Sequence, residues 1–179
     1  MLTRMDRLSS LVFVGIAILV MAIPFQSLEI NSQVDTSSQT TASISLIYSY
    51  GVDSKNILDT FRGTFTKDMV VDPPITIWMS ISSEEIQMIE AKLEEIGFFG
   101  PSYKELLPSG LPIGQATPYS TYYLKVLYNG ILVRELRWSD ETIYSNGSTK
   151  LYELCRLIKD IIVSKPDYKR LPQARAGYC

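Results

Sequence analysis

The sequence predicts an α+β fold: an antiparallel sheet of about five strands with two helices packed on one face, preceded by one N-terminal membrane helix. Three observations lead there. An apolar run follows a basic start, short runs of alternating residues recur between turn signals, and two longer stretches space apolar residues as helices do.

The first element is the membrane segment. Arg4 and Arg7 precede the apolar run Leu11 to Ile23, which has the length of a signal-peptide core, roughly 7 to 15 residues. Counted from Leu8 to Phe25 it approaches the roughly 17 to 25 residues that span a bilayer. Residues 1–25 are therefore read as a retained anchor or a cleaved signal, with Val20-x-Ala22 the best cleavage signature. No cysteine follows the run, so a lipid-modified cysteine is not the expected anchor. The basic residues before the segment, against Glu29 and Asp35 after it, predict an N-terminus in the cytoplasm and everything else outside it. The protein is thus expected to be membrane-anchored facing outward, or secreted if the signal is cleaved. Residues 26–43 read as a flexible polar tether: eleven of the thirteen residues from Asn31 to Ser43 are Ser, Thr, Asn, Gln or Asp, giving a reach of roughly 20 Å.

A folded domain is expected over 44–166. Ile44 to Tyr50 alternates as a strand, and a second runs through Ile57 to Phe61. Arg62-Gly63 then turns the chain into Thr64 to Val71. Asp72-Pro73-Pro74 should interrupt the ladder, since proline cannot donate to it, and Ile75 to Ile81 should resume it. Next, Ser82 caps a helix, Glu85 completes a capping box and Gly97 ends it, with Ile86, Ile89, Leu93 and Ile96 on one face. The glutamates at 84, 85, 90, 94 and 95 form its solvated face. Asn129-Gly130 suits a two-residue hairpin joining the strands within 121–138. That register sets Lys125 directly opposite Arg134, with Tyr123 nearby and Trp138 near the strand's far end. Like charges across a ladder repel, so an anionic group is expected beside them. Thr149 to Val163 forms the second helix, with Cys155 on its apolar stripe as a small buried hydrophobe, and residues 167–179 read as a polar tail.

Composition narrows the chemistry. The chain has no histidine, which removes Ser-His and Cys-His nucleophile systems and the commonest zinc ligand. With Cys155 and Cys179 alone, a four-cysteine metal site cannot form within one chain. A net charge of -2 argues against nucleic acid as a partner, no nucleotide-binding glycine loop occurs, and no cofactor is expected. What remains is carboxylate chemistry: Asp68 and Asp72, beside Lys67, are the candidates for holding a cation or supplying an acid and a base. Asn146-Gly147-Ser148 is a glycosylation sequon or a plain turn. Phe98 to Ser120, with four prolines and three glycines, exceeds the roughly 12 to 15 residues usual for a structureless loop. It is the best candidate contact surface. Tyr103 and Tyr119 either anchor a partner there or fasten the loop to its own sheet.

Two stretches, Asp59-Thr-Phe-Arg-Gly-Thr-Phe-Thr-Lys-Asp-Met69 and Glu95-Ile-Gly-Phe-Phe99, resemble a poorly described group of exported or membrane-tethered prokaryotic domains of unknown function. The resemblance implies location and fold type and brings no activity. The expectation is a membrane-tethered module that binds a protein or small ligand without catalysis. The alternative is a carboxylate- or metal-dependent hydrolase using Asp68 and Asp72.

Overall fold

A computed structural model describes residues 44–147 and 149–179. The anchor or signal segment and the tether lie outside the described residues. Among the described residues, no helix is long and apolar enough to cross a membrane.

The fold is α+β. Strands β1 (Ile44–Tyr50), β2 (Asn56–Asp59), β3 (Thr64–Met69) and β4 (Asp72–Trp78) are followed by helix α1 (Ser83–Glu95). Then come β5 (Ser109–Gln115), β6 (Thr121–Tyr128), β7 (Ile131–Ser139), β8 (Thr142–Asn146), α2 (Thr149–Ser164) and the short α3 (Pro166–Lys169). Six strands make one antiparallel sheet in the order β4-β3-β2-β1-β6-β7, and β5 pairs with β8 in a separate ribbon. The sheet is one strand larger than the sequence predicts, and no sequence signal predicts the ribbon.

Alternation in β1 sends Ile44, Leu46 and Tyr48 to one face, where they are almost completely buried. Leu58, Phe65, Leu124, Val126 and Leu136 join them from neighbouring strands, and Ile89, Leu93, Leu151, Leu154, Ile158 and Ile162 from the helices complete one core. Burial of each such side chain contributes roughly 1.5 to 3 kcal/mol, against about 0 to 1 for an exposed ion pair such as Lys92–Glu95. The opposite face, with Thr66 hydrogen-bonded to Thr76 at 2.8 Å, is left open.

The prolines do not interrupt the ladder. Pro73 and Pro74 lie inside β4, which is tolerated because β4 is an edge strand. They stand across from Asp68 alone, at an irregularity where Lys67 pairs with Ile75 and Met69 with Asp72. The Asn129-Gly130 turn has positive φ at both residues, 49° and 78°, as a type I′ turn requires.

Its register, however, holds for only two pairs. Tyr128 faces Ile131 and Leu127 faces Leu132, but Val133 bulges out, so Val126 faces Arg134 and Lys125 faces Glu135. The expected opposition of Lys125 and Arg134 is therefore absent, and Trp138 lies across from Tyr122, not Tyr123's neighbour on the open face. A bulge inserts one unpaired residue and moves every later side chain to the other face. Here that places a carboxylate opposite Lys125.

Helix α1 begins as its sequence dictates. Ser82 Oγ accepts from the Glu85 amide at 3.3 Å while the Glu85 carboxylate accepts from the Ser82 amide at 2.8 Å. At the other end Gly97, with φ 79°, donates to the Glu94 carbonyl, and Phe98 N–H donates to the Leu93 carbonyl, both at 2.9 Å. This pair of bonds is a Schellman closure. A Cβ added at Gly97 meets nothing within 4 Å, so only backbone conformation opposes a side chain there. Gly97→Ala is expected to lower stability by about 1 to 2 kcal/mol, the cost of a left-handed residue with a Cβ. In urea unfolding, the midpoint should drop with an unchanged slope.

Candidate functional site

The segment 98–120 divides into two halves of opposite character. In the first, Phe98 is fully buried, and Phe99 and Tyr103 pack against the core. The Arg134 guanidinium lies over the Tyr103 ring at 4.8 Å and donates to the Phe99 carbonyl at 3.3 Å. Two of the expected contact residues, Tyr103 and Arg134, thus meet each other. They fasten the loop to its own sheet, because the Val133 bulge turns Arg134 toward the helix layer. Trp138 stacks on Tyr122 with ring centroids 5.1 Å apart and is similarly inward.

The second half becomes β5 and pairs with β8. The ribbon leaves Leu111 75%, Ile113 67% and Ile143 46% exposed. Its pairing slips twice, near Gly110 and Pro112, and the Leu111 amide donates to Ser145 Oγ at 3.1 Å. Irregular pairing and proline are how a short ribbon avoids unlimited strand addition, while the apolar side chains remain available. Tyr119, just beyond β5, is about one-third exposed. Asn146 is exposed in β8 opposite Ser109, and Ser148 of its sequon lies outside the described residues.

The carboxylates near Lys67 are engaged by the C-terminal tail. Asp68 accepts from the Val70 amide at 2.9 Å and from the Tyr178 hydroxyl at 2.7 Å. The first bond supports Val70 in a left-handed conformation, φ 64°, which is costly for a β-branched residue. Asp72 receives both Arg175 Nε, at 2.7 Å, and Arg175 Nη2. Lys67 is nearly buried; its ammonium lies over the Tyr168 ring at 5.2 Å and donates to the Pro172 carbonyl at 2.8 Å. The tail expected to be merely polar is thus docked along β3 and β4, and α3 leads into it. Among the described residues, no group of three or more metal-ligating side chains gathers at Asp68 and Asp72 or anywhere else.

A second polar region lies on the open face at the far ends of β1, β6 and β7. There Ser54 and Thr121 share a hydrogen bond of 2.8 Å, and the Arg137 guanidinium lies over the Tyr123 ring at 4.1 Å. Asp53 and Ser54 both have φ 55°. The sequence marks Tyr123 and Trp138 here, but through a hairpin register that the bulge changes; the meeting of Ser54 with Thr121 depends on pairing of β1 with β6, which are far apart in sequence.

Cys155 and Cys179 are unpaired. Cys155 is buried beside the Tyr48 hydroxyl, and burial pushes its thiol up to about 11. The thiolate is disfavoured at neutral pH, the reverse of what a nucleophile needs. No protein-family model matches the chain, and no curated protein matches it.

Two outcomes are expected. Asp68→Ala should lower stability by about 1 kcal/mol through loss of the bond that supports Val70, whereas Asp72→Ala, which breaks an exposed pair, should change it by less than about 1 kcal/mol; paired urea titrations compare them. Because Cys155 titrates higher folded than unfolded, the unfolded chain loses its proton first as pH rises from about 9 to about 11. Stability therefore falls across that window. Cys155→Ala should flatten the decline measured by thermal melts at successive pH values, whatever it does to stability at pH 7.

Proposed function

We propose that the chain is a membrane-tethered, extracytoplasmic interaction module whose partner-binding surface is the β5–β8 ribbon. The observation that carries this reading is the exposure of Leu111, Ile113 and Ile143 on an element that adds nothing to the core. Three large apolar side chains exposed on one two-stranded element outside the core favour a contact site, and an open-edged ribbon offers main-chain pairing to an extended peptide. The location rests on the apolar run 11–23 with Arg4 and Arg7 before it, and the resemblance to exported prokaryotic domains points the same way. A hydrolase built on Asp68 and Asp72 finds little support, since each carboxylate is already held by a tail side chain.

A reporter fused after Cys179 should be active only if it works outside the cytoplasm, and cytoplasmic activity would reverse the orientation. A photo-crosslinking residue at Ile113 should give a discrete adduct with another protein, while one at exposed Arg156 on α2 gives none. Adducts at both positions, or at neither, would remove the ribbon from the proposal.

A further inference from the structure

The exposed apolar side chains of the main sheet are concentrated at one end. β1 runs away from that end, so Ile44 lies there, paired with Tyr128 at the end of β6. The β2–β3 turn brings Phe61 to the same end, since Thr60 bonds back to Leu46 and Asp59 pairs with Thr64. β4 finishes there with Trp78, across from Thr64. The β6–β7 turn adds Ile131 and Leu132. Their exposures are large: Phe61 70%, Trp78 79%, Tyr128 40%, Ile131 73% and Leu132 52%. With strands about 4.8 Å apart, these tips span on the order of 24 Å from β4 to β7 along an oblique edge: Trp78 is in row with Ile47 and Lys125, three residues, on the order of 10 Å, short of the Ile44–Tyr128–Ile131 row.

We infer that this rim docks into the headgroup region of the bilayer that holds the anchor. The inference rests on the membrane-anchored reading above and adds which end of the domain meets the lipid. Three features select lipid over another occupant. The chain joins the domain at Ile44, inside the rim, with twenty residues between it and the apolar run 11–23. Trp and Tyr are the side chains that favour the membrane–water interface, with an apolar body and a polar tip. The rim is a line of separated tips along strand ends, which a fluid planar surface accommodates more readily than a rigid partner does. Charge selects the lipid class: Glu90 and Glu94 of α1 lie beside Tyr128, and Arg62, in the Phe61 turn, is paired with Asp59 at 3.5 Å. Zwitterionic lipid is therefore favoured over anionic lipid.

The test uses the full chain reconstituted into phosphatidylcholine vesicles, with and without bromine on the upper part of the acyl chains. The intrinsic emission of Trp78 should be quenched by the brominated lipid and shifted to the blue, whereas Trp138, being buried, should contribute no quenching. Trp78→Phe should abolish the effect. In that background Ile131→Trp should restore it, and Val71→Trp, in the β3–β4 turn at the opposite end and 63% exposed in the native chain, should not. Flotation with the vesicles but no quenching at Trp78 or at the Ile131→Trp position overturns the rim and leaves the anchor standing. Equal quenching at both ends also overturns it, because no end would then be preferred. Failure to float with the vesicles sinks the anchored reading and the rim together.

Discussion

Strand β1 lies between β2 and β6, and its inward residues Ile44, Leu46 and Tyr48 reach the helix layer with almost no exposure. Burial of that single face under α1 and α2 is what the remaining architecture depends on. A sheet with helices on one side need satisfy hydrophobic alternation on that side alone. The other side is free to carry threonines, charges and the polar cluster of Ser54, Thr121 and Arg137. The strand ends and the ribbon are likewise released from packing duty. Several exposed apolar side chains therefore lie where covering them is unnecessary for folding, at β5–β8 and at the strand ends that carry Phe61, Trp78 and Ile131, while Val71 and Met88 are exposed elsewhere.

Local signals in the sequence are readable where one residue type forces one geometry. Ser82 with Glu85 starts a helix, Gly97 stops it, and Asn129-Gly130 turns a hairpin, each through a backbone requirement that no distant contact needs to supply. β1 is legible for a related reason: alternation in a strand buried on one face leaves only one register. The ribbon is illegible because Gly110, Pro112 and Gly114 read as loop residues, and pairing between Ser109 and Asn146 spans a separation that periodicity does not report. Asp72-Pro73-Pro74 reads as a break because the rule against proline applies to interior strands. Sequence alone does not say that β4 is at an edge.

The carboxylate pair illustrates the limits of reading sites from residue type. Asp68 and Asp72 stand together in sequence as an acid and a base might, and the structure does bring both to the end of the β3–β4 hairpin. What the sequence conceals is the tail. Arg175 and Tyr178 lie more than a hundred positions away and occupy these oxygens, while Pro172 supplies an acceptor to the nearly buried Lys67 ammonium. A buried cation without an acceptor would be costly, so docking of the tail completes this part of the domain.

The repulsion expected between Lys125 and Arg134 is a sound physical argument that leads to a different remedy. An anionic neighbour is the expected remedy, and a one-residue slip at Val133 brings one from within the hairpin, setting Glu135 across from Lys125 and sending Arg134 through to the helix side. There the guanidinium finds the Tyr103 ring and the Phe99 carbonyl, contacts worth about 0.5 to 2 kcal/mol for the partly desolvated ring pair alone. Those contacts hold the first half of the 98–120 segment against β7, and the second half leaves that fixed point as β5. One bulged residue thus separates two like charges and gives the loop its attachment to β7. The charge pattern of one hairpin, read through its register, connects the sheet's energetics to the loop that leads into the β5–β8 ribbon.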